Sequence, residues 1–146
     1  GTKMTVNEEQ FQTGDTITYI LKLSNAQANV LGLNLEVTYD QDALEIDDKS
    51  INIPYAISPI CNATKPGRII FNATEAIEGM EFKEEHILIS ASFKIKDSAK
   101  NTKINGRMIQ IIDANDKELT ESEYNLVDSV IEGTLPAILC KSCQLL

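Results

Sequence analysis

The chain has 146 residues, 42% of them hydrophobic, and its 22 acidic against 13 basic side chains give a formal net charge of -9. One domain of that length removes roughly two-thirds of its unfolded surface from water, so it needs no disulfide or metal to be stable, and the hydrophobic content excludes global disorder. The acidic balance argues against nucleic acid, which requires concentrated Lys and Arg, and the apolar runs are too short to span a bilayer.

From the N-terminal side, the first clear element alternates with strict period two: Ile17, Tyr19, Leu21 and Leu23 on one side, Thr16, Thr18 and Lys22 on the other. A polar turn leads to a second run, with Leu31, Leu33, Leu35, Val37 and Tyr39 facing one way and Asn34, Glu36 and Thr38 the other. Such alternation predicts two half-buried strands that share a core. The segment 47–68 carries Pro54, Pro59 and Pro66, which cannot donate to a ladder, so its β-prone pieces read as edge strands or loops. Pro66-Gly67 is a turn signal, and the strand after it sends Ile69, Phe71 and Ala73 inward. The run from His86 alternates again, with Ile87, Ile89, Ala91, Phe93 and Ile95 on the buried side. Further on, the segment 102–116 reads as a strand pair or a bulged strand with Asn105-Gly106 as its break, and Leu119–Leu126 as a short helical turn with Thr120 as N-cap. A last strand covers 128–135.

Many short strands separated by turn chemistry predict an all-β fold, an antiparallel β-sandwich. The domain spans residues 1–135, and residues 136–146 fall outside the alternation and read as a tail or linker. No basic segment precedes an apolar one at the N-terminus, and the chain opens on Gly1, as an excised or processed domain would.

Chemistry-bearing residues are sparse. His86 is the sole histidine and opens a strand, and no nucleophile elbow, zinc-protease, P-loop or dinucleotide motif occurs. The residues give no catalytic site. Asp40, Asp42, Asp47 and Asp48 lack the glycine and closing glutamate of a calcium loop and read as a solvated turn. Cys140 and Cys143 have the spacing of half a zinc site, but only Cys61 and His86 remain to complete one, so no metal is expected. Sugar recognition by a sandwich relies on stacking aromatics. Here there is no Trp, the Tyr and Phe mostly fall in core registers, and Tyr55 and Tyr124 are the candidates for exposure.

The GDT entry at Gly14, the TYD at Thr38–Asp40 followed by ALEI, the segment 67–79 (GRIIFNATEAIEG) and the long strand from His86 together resemble the cohesin domains of bacterial cellulosome scaffolds, over about Met4 to Leu135. The resemblance implies a jelly-roll sandwich of about nine strands and a monomeric, non-catalytic module, extracellular or on a bacterial cell surface. Its partner would be a dockerin-bearing protein, with no cofactor on this chain and calcium on the dockerin. It further implies a docking face built from the strands matching LGLNLEVTYD, GRIIFNATE and HILISASF, with the segment before Cys61. Gly32 and Asn34 stand at the positions of a polar pair, Glu75 at that of a closing acid, and Gly79 in the loop behind.

Read from alternation alone, the outward residues of these strands include Asn34, Glu36, Ile70, Asn72, Leu88, Ser90 and Ser92, a hydrogen-bonding surface with a few apolar groups. A solvated sheet face has the same pattern. The alternative reading is a carbohydrate-binding sandwich of a glycoside hydrolase system, and a third is a structural adhesin repeat.

Overall fold

A computed structural model describes residues 1–56, 59–74 and 79–135. Two four-stranded antiparallel sheets face each other, with a separate two-stranded hairpin at the start of the chain. That hairpin pairs β1 (Lys3–Val6) with β2 (Glu9–Gln12) through a two-residue turn in which Asn7 and Glu8 both have positive φ, the arrangement whose twist suits a tight β-hairpin. The Asn7 amide then ties the hairpin to the sandwich by donating to the Ile104 carbonyl and accepting from its N–H.

One sheet has the order β10 (Asn125–Glu132), β3 (Thr16–Ser24), β8 (His86–Ile95), β5 (Leu44–Asn52). The other has the order β6 (Ile60–Asn62), β7 (Arg68–Thr74), β4 (Val30–Thr38), β9 (Asn105–Asp113). Alternation places Ile17, Tyr19, Leu21, Leu23, Ile89, Ala91 and Phe93 from the first against Leu33, Leu35, Val37, Ile69, Phe71 and Ala73 from the second, all buried. Tyr39 meets Phe93 edge-on at 4.9 Å between ring centroids, and Tyr55 meets Phe82 at 5.0 Å, geometries that suit the ring quadrupoles. The jelly-roll sandwich expected from the sequence is present, with ten strands among the described residues, of which β1 and β2 precede the first predicted element.

Four local expectations are corrected. Leu31 does not face the core: the pairing of β4 with β9 shifts between Val30 and Gly32, and Val30 takes the buried place. The segment 102–116 holds one bulged strand rather than a pair: β9 runs from Asn105 to Asp113 with a register shift against β4 between Asn34 and Leu35, so Asn105-Gly106 is not a break within it. Tyr55 is buried, its hydroxyl donating to the carbonyl of Val30. The β8 alternation fails at Leu88, where the register with β3 shifts between Leu21 and Lys22, so Leu88 and Ile89 are both buried while Ile87 is only half-buried. A bulge of this kind adds one residue to a strand and changes which face the neighbours address. The helical turn forms as a 3-10 turn at Glu121–Glu123, with the Glu123 carboxylate accepting from the N–H and hydroxyl of Thr120. The predicted tail and its two cysteines lie outside the described residues.

Candidate functional site

The outer face of the β6-β7-β4-β9 sheet is built in cross-strand rows, because residues paired across an antiparallel ladder project to the same side. In one row Asn34 of β4 pairs with Asn72 of β7 and Gln110 of β9, and Ile60 of β6 pairs with Asn72. In the next, Glu36 pairs with Ile70 and Arg107, and Asn62 with Ile70. Thr38 pairs with Arg68 and Asn105 beyond that, while Gly32 pairs with Thr74 and Ile112 at the other end. The turn at Pro66-Gly67, with Gly67 at φ 83, returns the chain into β7 at the right register and leaves Arg68 at the corner of the face.

The electrostatics centre on Glu36. The Arg68 Nε donates to one carboxylate oxygen at 2.5 Å, and an Nη of Arg107 donates to the other at 3.2 Å. These are the only arginines in the chain. The Arg68 hydrogen bond, reinforced by Arg107, holds the Glu36 carboxyl below the usual carboxylate range. The Glu36 side chain is 13% exposed, against 42% for Arg68 and 65% for Arg107, so the face shows the cations and hides the anion.

One row away, the Oδ1 of Asn34 is sealed from solvent with no donor in reach among the described residues. Buried polar atoms nearly always have partners, and this acceptor can take one from outside the chain only if the Asn34 side chain turns outward, since no solvent reaches it in place. Ile60 at one edge is 74% exposed, and Ile109 projects at the other edge, where the β4–β9 register shifts. Neutral hydrogen-bonding groups, flanking apolar side chains and a few charges make up the composition of a protein-docking surface.

Of the residues singled out from sequence, Gly32, Asn34, Glu36, Ile70 and Asn72 share this face. Leu88, Ser90 and Ser92 do not, which corrects the expectation that they join it. They belong to β8 in the opposite sheet, and all three are buried. Leu88 is turned into the core by the bulge, while Ser92 shares a hydrogen bond with Thr18 and its N–H donates to Ser50. Gly79 lies beyond the end of β7, where Val30 and Met80 exchange two backbone hydrogen bonds. Glu75 falls outside the described residues. Sequence reasoning missed Arg107, Ile109 and Gln110. Nothing local announces that β9 lies beside β4 about seventy residues earlier.

Elsewhere, His86 is half-buried with its ring edge-on to Phe82 at 5.4 Å. Asp40 and Asp47 accept backbone N–H groups two residues on, as in ordinary polar turns. Among the four tyrosines and four phenylalanines, only Tyr124 escapes the buried set. Among the described residues no group of His, Cys, Asp and Glu is placed to hold a metal ion, and no helix is long and apolar enough to cross a membrane.

Comparison with solved structures finds the same fold repeatedly. The CaCohA2 module, seen in complex with a CaDoc0917 variant, superposes with a TM-score of 0.65 at 21% identity, covering 81% of this chain and 89% of that one; CaCohA2 comes from Clostridium acetobutylicum. The sixth cohesin of scaffoldin B from Acetivibrio cellulolyticus, in complex with a Cel5 dockerin mutant, gives 0.65 at 15% identity over 80% of this chain and 86% of that chain. A non-cellulosomal cohesin from the archaeon Archaeoglobus fulgidus gives 0.59 at 18% identity over 75% of each chain. A search among curated proteins finds no match. The cohesin domain family model matches residues 2–132, and the chain therefore belongs to the cohesin family.

Proposed function

We propose that this chain binds a dockerin module through the outer face of its β6-β7-β4-β9 sheet, and so recruits a dockerin-bearing protein to an extracellular scaffold. The module is non-catalytic. The observation that carries the choice of face is its row of neutral amides, Asn34, Asn72 and Gln110, beside the Glu36 ion-pair cluster with Ile60 and Ile109 at the margins. A partner helix lying across the strands brings hydroxyl or amide groups to that amide row, where Asn72 is exposed, and covers the flanking isoleucines. Gly32, beside Asn34, lets the partner approach the backbone closely, because the space above it holds no side chain of its own. Calcium belongs to the partner's loops in this reading, and the chain needs no cofactor. The carbohydrate-binding alternative loses its stacking platform, since Tyr55 is in the core and Tyr124 alone is left.

Calorimetry of the whole chain against a panel of dockerin modules and against soluble β-glucan tests this. The expected result is binding to a dockerin with calcium, abolished by chelator while the melting temperature of this chain stays constant. Binding to glucan and to no dockerin would replace this reading with the carbohydrate one.

A further inference from the structure

We infer that the partner meets this face with carboxylates seated on Arg68 and Arg107, so that the chain selects a dockerin that is acidic at that corner; this rests on the dockerin-binding reading above. The two arginines come from β7 and β9, the strands on either side of β4, and converge on one carboxylate between them. Surface ion pairs of this kind contribute little to stability, so the fold does not require the arrangement. Its consequence is positional. Glu36 takes up one N–H of each guanidinium and fixes both side chains, leaving their remaining donors for a second acceptor. Fixed guanidiniums recognise carboxylates through paired hydrogen bonds and lose little freedom in doing so.

The charge at this corner is opposite to that of the chain. Lys65 joins Arg68, Asn62 and Ile70 around a shallow cavity of about 130 Å³. Lys65, Arg68 and Arg107 against Glu36 leave two positive charges there, on a chain whose formal net charge is -9. The other outward side chains in the rows of Asn34, Glu36 and Thr38 are uncharged. A small basic corner on an acidic protein orients an acidic partner and gives no advantage to a basic one. Three cations are too few to hold a nucleic-acid backbone, whose affinity grows with each phosphate neutralised.

The test uses the full chain against a panel of dockerin modules whose docking helices range from net acidic to net basic. Binders should fall at the acidic end. Arg107→Glu should raise Kd by about tenfold or more, Arg107→Lys by much less, and added salt should weaken the wild type more than the Arg107→Glu variant. Replacing the facing partner carboxylate by lysine should restore binding to Arg107→Glu. The melting temperatures of the variants confirm that each is folded, with Arg107→Ala available if the reversal is not. If Asn34→Ala weakens a dockerin while Arg68→Glu and Arg107→Glu leave its Kd unchanged, the docking face stands and the carboxylate inference falls. If no dockerin binds the wild type, both fall. Tight binding of heparin, lost in the same variants, would assign the corner to a sulfated glycan and overturn the inference.

Discussion

Asn34 and Asn72 face each other across β4 and β7, yet their amides sit in different surroundings: Asn72 is exposed, while Oδ1 of Asn34 is shut off from solvent without a donor among the described residues. A buried acceptor left unpaired costs about 1–3 kcal/mol. Asn34→Ala removes that cost along with the amide, so the melting temperature should hold or rise. Dockerin binding should weaken by about 0.5–1.5 kcal/mol, the net value of one hydrogen bond. Thermal melts and calorimetry on the same preparation check both halves. A variant that melts several degrees lower would show that Asn34 serves the fold.

Glu36 gives a pH signature. Arg68 foremost, then Arg107, holds its carboxyl below the ordinary range. The folded value is thus lower than the unfolded one, and the stabilisation is fully present above the ordinary glutamate value of about 4.3. It is lost as pH falls through the lowered folded value. Because both arginines are well exposed, the contribution is at most about 1 kcal/mol at neutral pH. Urea denaturation of the wild type and Glu36→Gln should show a small gap at neutral pH that closes only in acid, below the ordinary carboxylate range. A gap that closes well above it, or one unchanged down to strong acid, would contradict the ion-pair assignment.

The two sheets were readable in the sequence where one face is apolar and the other polar, as in β3 and β4. Their period of two fixes the orientation of Leu21 or Leu35 without knowledge of the neighbours. The same rule misplaced Ser90 and Ser92. Small hydroxyl side chains read as exposed, but these two are buried on a strand flanked on both sides, and Ser92 finds partners within the protein. Half the proposed docking face was legible because the outward positions of β4 and β7 alternate and carry Asn34, Glu36, Ile70 and Asn72. The other half depends on β9 and on the pairing of Arg107 with Glu36, a long-range contact that no local pattern encodes.

Ser50 and Ser92 supply a stability test on the opposite sheet. Between Asp47 and Asn52, β5 leaves its ladder with β8. The Ser50 hydroxyl fills the gap, accepting from the Ser92 N–H at 2.7 Å and donating to the Asp47 carbonyl at 2.6 Å. Ser50→Ala therefore strands a largely buried N–H and should cost about 1–3 kcal/mol. Ser50→Thr, which keeps the hydroxyl, should cost less. Thermal denaturation ranks the variants, and hydrogen exchange at the Ser92 amide should accelerate in Ser50→Ala alone. Equal exchange in all three would mean that water replaces the hydroxyl without loss.

Gly106, the second residue of β9, lies directly over Tyr19, and that closeness can be tested by a double-mutant cycle. A Cβ at Gly106 would lie 2.5 Å from the Tyr19 hydroxyl oxygen and 2.7 Å from a methyl of Leu21. Both neighbours are core residues, so Gly106→Ala forces a shift and should cost about 1–3 kcal/mol. The Tyr19 hydroxyl donates to Asp128 at 2.9 Å. Burial first, and then Asp128, push the phenol pKa far above its ordinary value, so it remains a neutral donor throughout the usual pH range. Tyr19→Phe loses that bond but also removes the atom that the new methyl would strike. The double variant should then be more stable than the sum of the single losses predicts, by a coupling of about 0.5 kcal/mol or more. Denaturant melts of the four proteins measure this directly. Strict additivity would show that the Leu21 methyls, rather than the phenol, set the requirement for glycine at this position.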